Sequence, residues 1–192
     1  LIERLRAAVE ATGKWSGEIA VRRKDGSEFP AYLTVDTYLA HAYGERRRVA
    51  LIHDMTEKRQ AEEVIRHQAN FDALTDLPNR RLFFDRLRQE IERPRGAQDS
   101  LALLFIDLDR FKEINDQRGH NAGDEVLRVL GQRIKGLLRE DDGEFVARTG
   151  GDEFSALYRM DDADGISDLL ARLEEALFKP IQFDGAEIVP GA

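Results

Sequence analysis

Phe145-Val146-Ala147-Arg148-Thr149-Gly150-Gly151-Asp152-Glu153-Phe154-Ser155-Ala156-Leu157-Tyr158 is the stretch that decides the fold. Two short apolar runs, Phe145 to Thr149 and Phe154 to Tyr158, flank a glycine pair, which predicts two strands joined by a tight tip. Glycine has no Cβ and tolerates positive φ, so such a tip lets main-chain N–H groups approach a bulky ligand. Asp152 and Glu153 follow at once. Upstream, Leu101 to Ile106 is six apolar residues in a row, read as a strand buried on both faces, and it ends in Asp107-Leu108-Asp109. Carboxylates two apart on a strand share a face. If the hairpin pairs beside this strand, three or four carboxylates converge, an unfavourable cluster unless a cation occupies it. Oxygen ligands with room for water and phosphate suit Mg²⁺, which can polarise a phosphoryl group and activate an attacking hydroxyl. Plainer uses exist for the same residues. Asp107 and Asp109 can cap a short helix beginning near Phe111, and Asp152-Glu153 can be a solvated turn.

Working outward, Leu77-Pro78-Asn79 is a turn, and Arg80 to Arg93 is a predicted helix stopped by Pro94 and Gly96. Further helices are predicted at Phe111 to Asp116, at Gly123 to Arg139 with Leu127, Leu130, Ile134 and Leu137 on one face, and at Asp164 to Lys179. Ile181 to Val189 reads as a hairpin around Asp184-Gly185. This order of elements predicts, for residues 70–192, an α/β (α+β) sandwich of ferredoxin-like, palm type with a mixed sheet. Residues 1–54 read differently: a helix to about Thr12, then strands Trp15 to Val21, Glu28 to Leu39 and Arg48 to His53. Turns are expected at Lys24-Asp25-Gly26-Ser27 and around Gly44. One helix and three strands do not close a core, so this half-domain is expected to need further strands upstream. Between the two regions, residues 55–69 are polar and helical. Thr56 is a candidate cap, and Ala61, Ile65 and Gln68 form a thin seam that fits a solvated linker helix or a dimer stalk equally well.

The 192 residues are 42% apolar and 34% charged, ordinary for a soluble globular chain. A formal charge of −8 argues against a general nucleic-acid binder, which needs surplus Lys and Arg; a nucleotide held through a divalent cation remains compatible. The absence of cysteine excludes disulfides, zinc–thiolate sites and thiol nucleophiles within these residues. No run of about 18 apolar residues is present, so no membrane segment is expected within this chain and a cytoplasmic setting is. Leu1 in place of Met suggests a piece of a longer protein.

Gly150-Gly151-Asp152-Glu153-Phe154 matches the motif that names the GGDEF family of diguanylate cyclases. The resemblance extends to Asp72-Ala73-Leu74-Thr75-Asp76-Leu77-Pro78-Asn79-Arg80, to Phe105-Ile106-Asp107-Leu108-Asp109-Arg110-Phe111-Lys112 with Asn115 following, and to Gly119-His120-Asn121-Ala122-Gly123-Asp124. Ordered blocks over some 85 residues leave little room for chance. The resemblance implies an enzyme joining two GTP into cyclic di-GMP and pyrophosphate. Asp107, the Leu108 carbonyl and Asp152 would hold Mg²⁺ (or Mn²⁺), with Glu153 as a further metal ligand or as the group that helps deprotonate the ribose 3′-hydroxyl. Gly150 and Gly151 would lie against the nucleotide. Lys112 and the N–H groups near Arg110 and Phe111 would meet phosphates. Asn115 and Asp124 would read guanine, whose N1–H and N2–H₂ suit an acceptor-only carboxylate; turn and N-cap duties are their plainer reading. One site holds one GTP, so a homodimer is implied. Residues 1–59 resemble the back half of a PAS sensor domain through Gly13-Lys14-Trp15-Ser16-Gly17-Glu18, Arg23-Lys24-Asp25-Gly26 and Asp54-Met55-Thr56. Its ligand stays unknown, and Trp15, His41 and His53 are read as structural.

Two departures stand out. The family's product-inhibition motif, Arg-x-x-Asp, precedes the glycine pair by five residues, whereas Arg139 to Asp142 here precedes it by seven; the five-residue register holds Asp141 and Glu144 instead. The family also continues beyond the point matching Ala192 with a strand and a helix that help hold the triphosphate, so these residues alone are expected to turn over poorly. Two other functions compete: a catalytically silent GTP-binding regulator of a downstream phosphodiesterase domain, and a non-enzymatic sensory dimerisation module.

Overall fold

The computed structural model describes residues 2–40, 45–93, 100–160 and 165–191. The turn around Gly44, the stops at Pro94 and Gly96, and Asp164 fall outside them. The chain forms two compact units, residues 1–66 and 67–192.

In the first unit, α1 (Ile2–Thr12) precedes an antiparallel sheet of β1 (Lys14–Arg22), β2 (Glu28–Ala40) and β3 (Glu45–Asp54) in sequential order. The period-two pattern of β2 puts Ala31, Leu33 and Val35 on one buried face. There Leu33 and Val35 pack with Val9 of α1, bordered by Leu5, Trp15 and Ile19. The opposite face carries exposed Tyr32, Tyr38, Val49 and Leu51. The β1–β2 turn closes through Gly26 at φ +89°, with the Asp25 carboxylate accepting from the Ser27 N–H and hydroxyl.

Helix α2 (Thr56–Asn70) has no buried residue, and Val64 and Ile65 on it are exposed. Its start corrects the expected cap. Asp54, two residues before Thr56, accepts from the Thr56 N–H at 2.9 Å and hydroxyl at 2.6 Å, because an acceptor must lie upstream of the N–H groups that the first turn leaves open. Those bonds, aided by Arg23, lower the Asp54 pKa to about 2.

The second unit contains α3 (Arg80–Glu92), β4 (Ser100–Asp107), α4 (Phe111–Arg118), α5 (His120–Lys135), a 3-10 turn at Glu140–Asp142, β5 (Phe145–Arg148), β6 (Glu153–Met160), α6 (Gly165–Phe178), β7 (Ile181–Phe183) and β8 (Ala186–Ile188). Its main sheet has the order β4-β6-β5 with antiparallel ladders, and a parallel bridge joins Asn79 to Arg148. This is the α+β architecture the order of elements implied. One side of the sheet packs Ile106, Val146, Phe154 and Ala156 with Leu127, Leu130 and Ile134 of α5 and Leu173 and Leu177 of α6. On the other, Phe83 of α3 meets Phe145, Ala147 and Leu157.

The strand buried on both faces is therefore β6, in the centre, and not β4. At the sheet edge, β4 packs Leu101 against the Phe83 cluster but leaves Leu103 41% and Phe105 74% exposed. Helix α5 also differs from expectation, starting at His120 and ending at Lys135. Gly119, at φ +84°, terminates α4 and opens α5 without a spacer, and Gly136 closes α5 by donating to the Gln132 carbonyl. Asp184 and Gly185 both take positive φ, the requirement of the two-residue turn read from Asp-Gly. No helix among the described residues is long and apolar enough to cross a membrane.

Candidate active site

The ladder between β4 and β6 runs from Ser100 opposite Met160 to Asp107 opposite Glu153. The acidic end of the first strand and the glycine tip thus meet at one place, with directly opposed residues about 5 Å apart at Cβ. Both acids line a cleft of about 320 Å³ together with Arg80, Phe84, Phe105 and Thr149. At the tip, the N–H groups of Thr149 and Gly150 donate to the Glu153 carbonyl at 3.0 and 3.3 Å. Neither tip glycine takes positive φ, so handedness is not what requires glycine here. Space is. A Cβ on residue 150 would lie 2.3 Å from Glu153 Oε2, whereas one on residue 151 would meet nothing within 4 Å. Gly150 makes room for the Glu153 carboxylate, and Gly151 stays open to whatever approaches.

Arg148 braces this tip. Its guanidinium donates to the Gly151 carbonyl at 2.7 and 3.1 Å and to Asp72 Oδ1 at 2.9 Å, and its N–H donates to the Pro78 carbonyl. Asp72 also accepts from the Thr75 N–H and hydroxyl. Burial works against the Asp72 carboxylate, but the bonds from Thr75 and Arg148 outweigh it and hold the pKa below its ordinary value. The sequence blocks contained these residues without revealing the link, since 76 positions separate the partners.

A second cluster forms where α4 meets α5. Arg110 at φ +55° is the N-cap of α4, with no side-chain capping bond, so neither Asp107 nor Asp109 serves as a cap. Gly119 likewise caps α5 without a side-chain bond, leaving Asp124 inside the helix and not at its N-cap. Asn115 lies across α5 at Gly123, beside Asp124 in the chain, with Phe111 on the same spot. Lys112 is exposed in the first turn of α4.

As a metal site, the arrangement is open. Among the described residues no three acidic or histidine side chains stand close enough to form a cage, so the expected convergence of three or four carboxylates is not formed. Asp107 and Glu153 are paired across the ladder, with Asp152 next along the chain. The Leu108 side chain is buried and has no donor atom, so its contribution is the main-chain carbonyl. Mg²⁺ usually takes one or two carboxylates and fills its other positions with water and phosphate, and this donor set suits it.

Arg139 and Asp142 are an ion pair at 3.5 Å, but the Arg139 guanidinium also binds Glu144 Oε1 at 2.8 and 3.2 Å. The Glu144 side chain is wholly buried and accepts as well from the main-chain N–H groups of Arg139 and Arg159.

Residues 69–188 match the family model described as diguanylate cyclase, GGDEF domain, more than half of the chain. The chain belongs to the GGDEF family. It is 55% identical over 91 residues to the diguanylate cyclase TpbB of Pseudomonas aeruginosa, covering 47% of this chain and 20% of TpbB. To the cyclic di-GMP phosphodiesterase NbdA of the same organism it is 39% identical over 125 residues, covering 65% of this chain and 16% of NbdA. The crystal structure of the coiled coil and GGDEF domain of DgcB from Caulobacter crescentus, in complex with c-di-GMP, is similar with a TM-score of 0.61 at 27% identity, covering 70% of this chain and 72% of that one. The chain spans a fifth or less of the length of these two curated relatives. Within the GGDEF domain, the fold brings Asp107 to Glu153 and Asn115 to the Gly123–Asp124 turn of α5, while Arg139 pairs with both Asp142 and the buried Glu144.

Proposed function

We propose that this GGDEF domain is a diguanylate cyclase, condensing two GTP into cyclic di-GMP and pyrophosphate. The observation that carries the reading is the register that ends on Asp107 opposite Glu153, beside an open Gly151. The triphosphate would lie over the tip and the N-terminal end of α4, where free main-chain N–H groups and Lys112 favour anions. Asp107, the Leu108 carbonyl and Asp152 would hold Mg²⁺, which supplies charge to offset that developing on the α-phosphate. Asn115 and Asp124 would orient the base. Glu153 would take the proton of the 3′-hydroxyl as the O3′–Pα bond forms and the bond from Pα to the pyrophosphate oxygen breaks. A second transfer, with the partners' roles exchanged, closes the ring. Each domain holds one GTP, so two copies must face each other, and positioning accounts for much of the rate.

Residues 1–54 are proposed as part of a PAS sensor and residues 55–69 as the helix that carries its signal to the catalytic region, 70–192. Arg139 is read as the counter-ion of Glu144, not as a ligand for the product. A second reading, a silent GTP-binding domain that regulates a phosphodiesterase, is supported by the likeness to NbdA. The deciding experiment incubates the protein with GTP and Mg²⁺ and measures cyclic di-GMP for wild type and Glu153→Ala. Product from wild type, reduced at least about a hundredfold in the variant, is expected. GTP binding without product from either supports the regulatory reading.

A further inference from the structure

Gly123 is buried at the point where α5 passes α4. A Cβ there would lie 2.2 Å from Asn115 Oδ1, 3.0 Å from Asn115 Cγ and 3.0 Å from Cζ of Phe111. The first distance is far inside van der Waals contact, so the Asn115 amide occupies the volume that any side chain at residue 123 would fill. The Phe111 ring closes another flank, which limits where a displaced amide could go. Among the described residues no hydrogen bond fixes the Asn115 side chain, whose seat is set by this contact. The Asn115 amide carries both a donor nitrogen and an acceptor oxygen, and its donor suits an acceptor such as guanine O6. Asp124, the next residue on α5, supplies the acceptor for N1–H and N2–H₂.

We propose that Gly123 is a positioning residue for base selection: by having no side chain it seats the Asn115 amide beside Asp124 so that the two read one guanine edge. The proposal rests on the guanine-reading role given above to Asn115 and Asp124. Helix propensity argues against glycine at this place, since alanine is the better helix former. Glycine here is therefore not explained by the stability of α5.

The test measures binding of α,β-methylene GTP, which cannot lose pyrophosphate, and of its adenine counterpart, with Mg²⁺, to wild type, Gly123→Ala, Asn115→Ala and the double variant. Thermal unfolding of each is followed in parallel. Gly123→Ala is expected to weaken the guanine nucleotide about tenfold, the scale of one displaced hydrogen-bonding group, and to change the adenine nucleotide less than about twofold. In the Asn115→Ala background the same substitution should add almost nothing to the binding loss and should raise the melting temperature, because the methyl group then fills the space left by the amide. Guanine binding by Gly123→Ala equal to wild type overturns the proposal. So does an equal loss for both nucleotides with a lowered melting temperature, which marks general packing damage, and so does a full further loss in the Asn115→Ala background. Wild type that binds neither nucleotide sinks the cyclase reading, and this inference with it; that result appears in the unsubstituted protein and is not confused with the others.

Discussion

A methyl group on residue 150 would sit 2.3 Å from the Glu153 carboxylate, so Gly150→Ala is a direct probe of where that carboxylate must be. Helix and sheet cores are untouched by the change, and the melting temperature is expected to stay within about 2 °C of wild type. Cyclic di-GMP formation should fall about a hundredfold, the usual result of moving a reacting group by an ångström. Gly151→Ala, which meets nothing within 4 Å of the domain itself, should keep the fold and weaken GTP binding. Initial rates and nucleotide titrations separate the two effects, and a Gly150→Ala protein of normal activity would remove Glu153 from its assigned place. At this scale the pairing of acids with a glycine tip was legible in the sequence, because strand ends and turns carry local signals. The reason for Gly150 was not. It depends on a side chain three residues away folding back, and no local pattern encodes that.

Elements show the same division. The 3-10 turn at Glu140–Asp142 and the start of β5 enclose Glu144, whose side chain is wholly buried and whose charge is met by Arg139, itself 45% exposed. Removing one partner of a buried pair costs about 3–5 kcal/mol. Here the main-chain donors of residues 139 and 159 remain and Arg139 is half in water, so Arg139→Ala should cost about 2 kcal/mol in urea unfolding. Adding Glu144→Gln should recover part of it. Calorimetry with cyclic di-GMP should give the same affinity for Arg139→Ala and wild type; a loss confined to the variant would return Arg139 to the role of product ligand. Burial of Glu144 could not be foreseen from Arg139-Glu140-Asp141-Asp142-Gly143-Glu144, a charged run that reads as solvated. Strand β4 failed in the opposite direction. Six apolar residues suggested two covered faces, but whether a strand lies at the centre or edge of a sheet is a property of topology, not of its own composition. The long helix α5 was recognisable from its apolar stripe, and only its ends moved, to the glycines at 119 and 136.

For the whole molecule, the two units differ in how much of their architecture the sequence declared. Residues 67–192 carry a sequence of blocks whose order alone implied the α+β fold. Residues 1–66 showed a helix and three strands, and the sheet they form keeps Val9, Leu33 and Val35 buried on one side while the other exposes Tyr32, Tyr38 and Leu51. The account of function depends on one spatial relation in the second unit, the meeting of Asp107 with Glu153 at the end of a ladder. Mn²⁺ in place of Mg²⁺ makes that relation visible by electron paramagnetic resonance. In the presence of α,β-methylene GTP the protein should bind Mn²⁺ at a nucleotide-dependent site whose signal is lost in both Asp107→Ala and Asp152→Ala, one carboxylate from the strand end and one from the glycine tip. A nucleotide-dependent Mn²⁺ signal that survives both substitutions unchanged would contradict a shared metal at the strand end, and with it the proposed chemistry.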